Sequence, residues 1–206
     1  MSNSKQNFLR AVLLIITALG LSACGGGGGG TDSSVQLASS AAEDLEFGGS
    51  VGDGPITGAT IRIISIKGQE LGSAVSDDEA KYRVRVRPRR DDYPLRIVVN
   101  GGIDLVTGKV PDFEMQSVMT RSSRSVANIN PFSTLITQVA MRLPGGLTAD
   151  NFEIAKPLVM DRLSFGLDSS VVQDPVTTKI SRTNVAQLVK ASETMGEAVR
   201  RTRDLI

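Results

Sequence analysis

The hydrophobic residues of this chain recur with two different periods, and the change between them sets the fold class. From about residue 46 to residue 118 apolar and polar side chains alternate, as in the stretch "KYRVRVRP" at 81–88. From residue 128 onward the apolar residues recur every three or four positions. Alternation is typical of half-buried strands, and the longer period is typical of amphipathic helices. We therefore expect an α+β protein in which a β-region precedes a helical region.

Short strands separated by clusters of turn residues predict a small antiparallel β-sandwich over residues 46–118. The strand at 81–88 is the most regular, with Tyr82, Val84 and Val86 on the side expected to face the core. The other strands are expected at 59–66, 95–99, 103–110 and 113–118.

The opposite side of that strand carries Arg83, Arg85 and Arg87. Such a stripe could bind an acidic glycan, lipid phosphate or the carboxylates of a partner protein. The simpler interpretation, which we favour, is a solvated strand face paired with Asp91, Asp92 and the neighbouring strand. Under the alternative, Arg83, Arg85 and Arg87 form a candidate binding surface.

An acidic turn, Asp77, Asp78 and Glu79, comes just before this strand. Carboxylates are the ligands that Ca²⁺ prefers, but a dedicated calcium loop spaces them at alternate positions. An ordinary acidic turn is the better interpretation, and we expect no metal site.

Two stretches of the β-region carry a family resemblance: "GGSVGDGPITGATIRI" at 48–63 and "SAVSDDEAKYRVRV" at 73–86. The Gly-Pro turn, the G-A-x-I strand entry and the acidic turn before a tyrosine resemble the carboxypeptidase regulatory-like β-sandwich of bacterial surface proteins. Ala80 stands where that family usually has glycine. The resemblance implies a transthyretin-like or immunoglobulin-like accessory domain without catalytic residues.

Residues 128–206 predict helices with one apolar face each. Pro131 is tolerated at the first position of a helix, whereas Pro157 should kink or divide the second one. The expected capping residues, in chain order, are Asn130, Thr148 or Asp150, and Ser181 or Thr183.

The first helix begins in "ANINPFSTLITQVA" at 127–140. This stretch resembles the "N-x-x-P-x-T-T-L" segment that follows such sandwiches in bacterial envelope proteins. We expect its polar side chains to cap the helix and to bind the edge of the sandwich. They are Asn128, Asn130, Ser133 and Thr134.

Residues 1–23 have the parts of a bacterial secretion signal. Lys5 and Arg10 are followed by the apolar run "AVLLIITALGL" at 11–21. Because a spanning helix needs about 20 apolar residues, this run predicts a cleaved signal peptide rather than a membrane span. An ordinary signal peptide with an incidental Cys24 is the alternative.

The next residues, "LSAC", resemble the lipobox of bacterial lipoproteins. Its recognition residues would be Leu21, Ser22 and Ala23. The resemblance implies that Cys24 is lipidated and becomes the first residue of the mature protein. Because Gly25 is not Asp, it also implies transfer to the outer membrane. Several acyl chains are enough for stable anchoring.

Residues 24–45 begin with the lipidated cysteine and continue with six glycines and small polar residues. This composition predicts a flexible tether with an r.m.s. span of roughly 25 Å. The membrane, reached through the lipid on Cys24, is the first expected partner. An envelope protein or a glycan is the second.

Composition removes several classes of function. The chain has no histidine and one cysteine, which excludes histidine-dependent hydrolases, internal disulfides and zinc sites built from these residues. A net charge of +1 gives no field to attract nucleic acid, and 4% aromatic residues leave few rings for stacking. We expect no cofactor and no nucleic-acid partner.

The sequence thus predicts a lipid-anchored, non-enzymatic protein of the bacterial envelope that acts in binding, adhesion or scaffolding. One alternative is an accessory subunit of an assembly or secretion complex that engages partners through its C-terminal helices. A remote alternative is a hydrolase that uses a pair of carboxylates.

Overall fold

The computed structural model of the protein describes residues 41–120 and 125–204. Within them, strands β1 to β8 are Leu45–Ser50, Ile56–Thr57, Thr60–Ile64, Glu70–Val75, Lys81–Val86, Leu95–Asn100, Ile103–Asp104 and Met115–Met119. The helices α1 to α3 are Pro131–Arg142, Ala149–Leu163 and Val185–Asp204. The expected α+β class is confirmed. The predicted signal peptide, the lipobox and most of the tether lie outside the described residues.

The strands of the β-region form two layers that share one core. One layer is a sheet in the order β4-β3-β6-β8, and the other contains β1 and β5. Strands β2 and β7 form a short separate ribbon. Every pair of these strands is antiparallel. Buried side chains of both layers make up the core, among them Phe47, Val84, Ile61, Ile63 and Ile97.

Strand β5 agrees with the alternation seen in the sequence. Tyr82, Val84 and Val86 are buried, and Arg83 and Arg85 on the other side are exposed. Strands β1 and β4 were not predicted, because their glycines and serines weaken the β-signal. Pairing with β5 and β3 forms them instead.

The strand expected at 103–110 is wrong beyond its first two residues. The chain turns after Asp104, whose carboxylate accepts hydrogen bonds from the Val106 amide at 2.8 Å and the Thr107 hydroxyl at 2.8 Å. An aspartate that bonds the backbone two residues ahead favours a turn over an extended strand. Residues 105–110 are all exposed.

A linking segment, residues 125–129, joins the sandwich to the helices. It runs parallel to β1, with bridges between Gly48 and Val126 and between Val51 and Ile129. Strand β1 therefore has β5 on one side and the linking segment on the other.

Strand β8 separates two hydrophobic cores. Met115 and Met119 belong to the sandwich core, and Val118 belongs to the core formed with the helices. At its outer edge, Ser133 of α1 donates a 2.8 Å hydrogen bond to the Gln116 carbonyl. The β8 backbone thus holds the first turn of α1 in place.

Two of the helix starts match the sequence. Asn130 accepts a hydrogen bond from the Ser133 amide at 2.9 Å, and Thr148 caps α2 through the Asn151 amide at 3.0 Å. Of the two effects expected of Pro157, a kink or a division, division is wrong, because α2 continues through it. Pro157 lies on the exposed side of α2, where the carbonyl that it leaves unpaired can reach water.

The predicted apolar faces are only partly buried. Phe152, Ala155 and Val159 of α2 are buried, but Leu158 and Leu163 are 42% and 40% exposed. On α3 the buried residues are Leu188, Ala191, Ser192, Met195 and Gly196. In the described part of the chain, no helix has the length and apolar character required to cross a membrane.

Candidate binding cleft beside the arginine strand

The outer face of the β1–β5 layer contains a depression above Gly48. This residue lies between Arg83 of β5 and Val126 of the linking segment. A Cβ atom at position 48 would come within 2.2 Å of the Tyr82 carbonyl oxygen. Glycine is therefore required for the close approach of the two strands, and it leaves bare backbone between charged side chains.

We call this depression the Gly48 cleft. Its volume is about 520 Å³, within the range of roughly 300–1,000 Å³ found for small-ligand sites. Its walls carry three cations, Lys81, Arg83 and Lys179, and two acids, Glu46 and Asp77. The cleft is thus large enough for a small polar ligand and offers it mainly positive groups.

The arginines of the predicted stripe pair with acids on and just before β1. Arg83 and Arg85 both reach Glu46, at 3.2 Å and 2.6 Å, and Arg87 reaches Asp44 at 3.1 Å. The three arginine side chains are 70–82% exposed. The hydrogen bond from Arg85 is the main cause that lowers the pKa of Glu46, and the positive charge of Arg85 is the second. Both Glu46 oxygens are engaged by arginines, so this acid and its two partners form one group of charges with a net excess of one cation.

The expected pairing of the arginines with the neighbouring strand is correct, since Glu46 belongs to β1. Their expected pairing with Asp91 and Asp92 is wrong. Those two acids form ion pairs with Lys67, at 2.6 Å and 3.4 Å. Of the three arginines, only Arg83 lines the Gly48 cleft.

The acidic turn at 77–79 shapes the end of the cleft. One Asp77 oxygen accepts hydrogen bonds from the Glu79 and Lys81 amides, each at 2.9 Å. Ala80 has a φ of 56°, the left-handed conformation for which the resembling family uses glycine. Within 41–120 and 125–204, no group of three Asp, Glu, Cys or His side chains is arranged to hold a metal ion.

Asn128 brings the helical region to the cleft. Its side-chain oxygen accepts the Ser50 amide at 3.1 Å, and its amide group donates to the Thr178 carbonyl at 2.8 Å. Lys179 and Ile180 follow directly and form one wall. The expectation that the polar residues of "ANINPFST" cap the helix and bind the sandwich is confirmed by these bonds and those of Asn130 and Ser133.

A second charged group, which the sequence analysis missed, lies where α3 packs on the sandwich. We call it the Arg200 cluster: Arg200 with Asp53, Asp104, Asp112 and Glu193. Arg200 hydrogen-bonds Asp53 and reaches Asp112 at 3.2 Å, and its guanidinium lies 5.8 Å from the centre of the Phe113 ring. The Asp53 side chain is only 3% exposed.

Burial, together with the charge of Glu193, raises the pKa of Asp53 to about 7, although Arg200 opposes this. Burial and the charge of Asp104 also raise the pKa of Glu193. A small space of about 70 Å³ adjoins Asp53, well below the volume of a substrate site. Sequence patterns gave no signal for this cluster, because its members come from four separate segments.

No protein-family model matches this chain, and no curated protein and no solved structure matches it. The resemblances to lipoproteins and to carboxypeptidase regulatory-like sandwiches therefore remain expectations from the sequence. What the structure defines is an α+β protein with a surface cleft and a buried ionic cluster.

Proposed function

We propose that this chain is a lipid-anchored, non-enzymatic binding protein of the bacterial envelope that holds a small anionic ligand in the Gly48 cleft. The observation that carries the binding role is a cleft of about 520 Å³ with Lys81, Arg83 and Lys179 on its walls. The sequence "LSAC" at 21–24 carries the anchoring role.

Charge favours an anion as the ligand. The walls carry three cations and two acids. Glu46 pairs with Arg83, and Lys81 pairs with Glu79, so the cation that is left unbalanced at the cleft is Lys179. Lys179 forms no ion pair with any residue that the structure describes, so its ammonium group is available. The aromatic rings at the cleft, Phe47 and Tyr82, are 2% and 5% exposed. Recognition would thus use charge rather than ring stacking.

The remote hydrolase alternative finds little support. A pair of carboxylates with raised pKa values exists in Asp53 and Glu193, but it lies beneath α3 beside a space of about 70 Å³. A glycosidase needs a cleft that admits the sugar between its carboxylates.

The binding proposal is tested with the full chain and three probes: trigalacturonate, glucose 6-phosphate and uncharged maltotriose. Calorimetry should detect one of the two anions and not maltotriose. The double change Arg83→Ala and Lys179→Ala should weaken binding at least tenfold. Arg87→Ala is the control, because Arg87 directly follows the same strand and is also largely exposed but lies outside the cleft. Equal loss in the control, or binding of maltotriose alone, would contradict the proposal.

The anchoring proposal has its own test. Cys24→Ala should abolish labelling of the protein by a fatty-acid probe in bacteria and should release it from membrane fractions. Persistent labelling of the variant would rule out lipidation at Cys24.

A specific observation favours the second function, an accessory subunit that binds partners through its helices. Ile154 and Leu158 lie one turn apart on α2 and are 52% and 42% exposed. Large apolar side chains exposed together are typical of interaction surfaces. Under this alternative, Ile154→Asp with Leu158→Asp would abolish recovery of a defined envelope partner, whereas changes in the Gly48 cleft would not.

A further inference from the structure

The side of α3 that packs on the sandwich leaves polar atoms without partners. Among the described residues, six buried side-chain oxygens have no hydrogen-bond partner, and three of them lie at this contact. Such atoms raise the free energy of the docked helix. The three are Asp53 Oδ1, Ser192 Oγ and Glu193 Oε1.

Three positions on one face of α3 surround the Asp53 carboxylate. Glu193, Gly196 and Arg200 are spaced i, i+3 and i+7, so they follow one another along the helix. The Asp53 oxygens lie 2.4 Å and 2.5 Å from where a Cβ of Gly196 would be, so only glycine leaves room for the carboxylate there. Asp53 Oδ2 binds Arg200, and Asp53 Oδ1 has no partner.

Two further acids lie close to Gly54, the residue that follows Asp53 in the chain. Asp104 Oδ1 and Glu193 Oε1 lie 2.5 Å and 2.9 Å from where a Cβ of Gly54 would be. An ionised carboxylate can only accept hydrogen bonds. A single proton on Asp53 would give its carboxyl group a donor and would remove one negative charge from this group of acids.

We propose that Asp53, Glu193 and Arg200 form a proton-dependent clasp that holds α3 on the sandwich. With a proton on Asp53, the buried carboxyl group is neutral, and Arg200 balances the charge of the neighbouring acids. Without that proton, the buried Asp53 carboxylate is repelled by the charges of Glu193 and Asp104, which Arg200 offsets only in part. Uptake of the proton tightens the helix contact, and its loss loosens it.

The whole charged environment of Asp53 is consistent with this direction. The charged groups around Asp53 and its partner Arg200 come from α3, from β7, from the segment before β8 and from the start of β5 with its preceding turn. They are Glu193, Glu197, Arg200, Asp104, Asp112, Glu79 and Lys81. Acids outnumber bases among them, so the cluster favours the protonated form of a buried carboxyl.

The pH range of the transition follows from the pKa of Asp53. It is raised from 3.8 to about 7, so the contribution is complete below pH 3.8 and is lost as the pH rises to about 7. Opening of α3 should increase by up to about tenfold per pH unit within that window and level off above it.

Hydrogen–deuterium exchange of the full chain in detergent micelles tests the clasp. Exchange in peptides from 185–204 is measured from pH 5 to pH 8, and each rate is divided by the intrinsic chemical rate at that pH. We expect the opening of α3 to increase at least tenfold over this range. In Asp53→Asn the opening should depend on pH much less than in the wild type, because the amide stays neutral and only Glu193, whose pKa is also raised, still titrates at this contact. Asp91→Asn, a change of the same kind far from α3, should behave like the wild type.

A second variant distinguishes titration of Asp53 from a merely structural role of this residue. Glu193→Gln removes the negative charge that raises the pKa of Asp53, so the midpoint of the transition should move to lower pH. This readout decides the case even if Asp53→Asn fails to fold, which rapid exchange in β3 and β6 would reveal. A wild-type response without pH dependence, an unchanged response in Asp53→Asn, or an unmoved midpoint in Glu193→Gln would overturn the proposal.

Discussion

Two groups of ionisable side chains both pair a carboxyl group with an arginine, but in different surroundings. On the outer face of the β1–β5 layer, Glu46 of β1 is paired with exposed arginines of β5, and its pKa is lowered. Beneath α3, Asp53 is paired with Arg200, and its pKa is nevertheless raised to about 7. The Asp53 side chain is 3% exposed and that of Glu46 is 38% exposed. An arginine partner therefore does not decide the direction of the shift; access of water and neighbouring acids do.

Removal of the arginine partner should change the free energy of unfolding much more in the buried group than in the exposed one. Arg200→Ala leaves a buried carboxylate without its partner, and we expect a loss of about 3 kcal/mol in the free energy of unfolding at pH 8. Urea denaturation of the full chain measures it. Arg201→Ala is the control, because that side chain is 76% exposed and pairs with Glu197 on the same helix. Similar losses in both variants would mean that burial of Arg200 has no energetic effect.

Neutralising the acid should have opposite effects in the two groups. At pH 8, Asp53→Asn should stabilise the protein by at most about 4 kcal/mol, and by less where water reaches the cluster, since the raised pKa means that ionised Asp53 opposes folding. This gain should disappear at acid pH, where Asp53 of the wild type carries a proton.

The corresponding change in the exposed group is Glu46→Gln. The lowered pKa of Glu46 means that its contribution is present above its unfolded pKa and is lost only as the pH falls below it. This variant should therefore be slightly less stable than the wild type at pH 8. Thermal unfolding at pH 5 and pH 8 compares the two variants, and the same sign for both at pH 8 would contradict the comparison.

Adding one methyl group tests how closely Asp53 lies against α3. Gly196→Ala places a Cβ within 2.4 Å of the carboxylate, and we expect a loss of about 1–3 kcal/mol in unfolding free energy from overpacking. Alanine is the better helix former, so its propensity alone would give the opposite sign. Thr194→Ala, an exposed position on the same helix, should show no such loss. A more stable Gly196→Ala variant would mean that α3 can move away at little cost.

The smallest effect is expected for the exposed arginines. Arg85→Ala should change the melting temperature by less than about 2 °C, because exposed ion pairs contribute little and salt screens them further. A large decrease that persists in 0.5 M salt would show that the exposed group stabilises the sandwich.

Much of the β-region could be predicted because its signal is local. The alternation at 81–88 identified β5 and the face of each of its residues, and Asn130 with Pro131 marked the start of α1. The sequence did not reveal β1, whose glycines are poor strand formers, or the linking segment that runs beside it. Both depend on pairing with distant strands, which a local pattern cannot contain. Of the cations that line the Gly48 cleft, only Arg83 was predicted as a binding residue. Lys179 could not be predicted, because it is brought to the cleft by the hydrogen bond from Asn128 to the neighbouring Thr178 carbonyl.

The sequence by itself determined the α+β class and the order of its two regions, since hydrophobic period is a property of neighbouring residues. It also provides the basis for the predicted anchor, in the residues "LSAC" at 21–24. Only the tertiary structure decided that Asp53 meets Arg200, 147 residues further along the chain. The charge of a buried carboxyl depends on which groups surround it and on how much water remains. Those are properties of the packed molecule rather than of any stretch of its sequence.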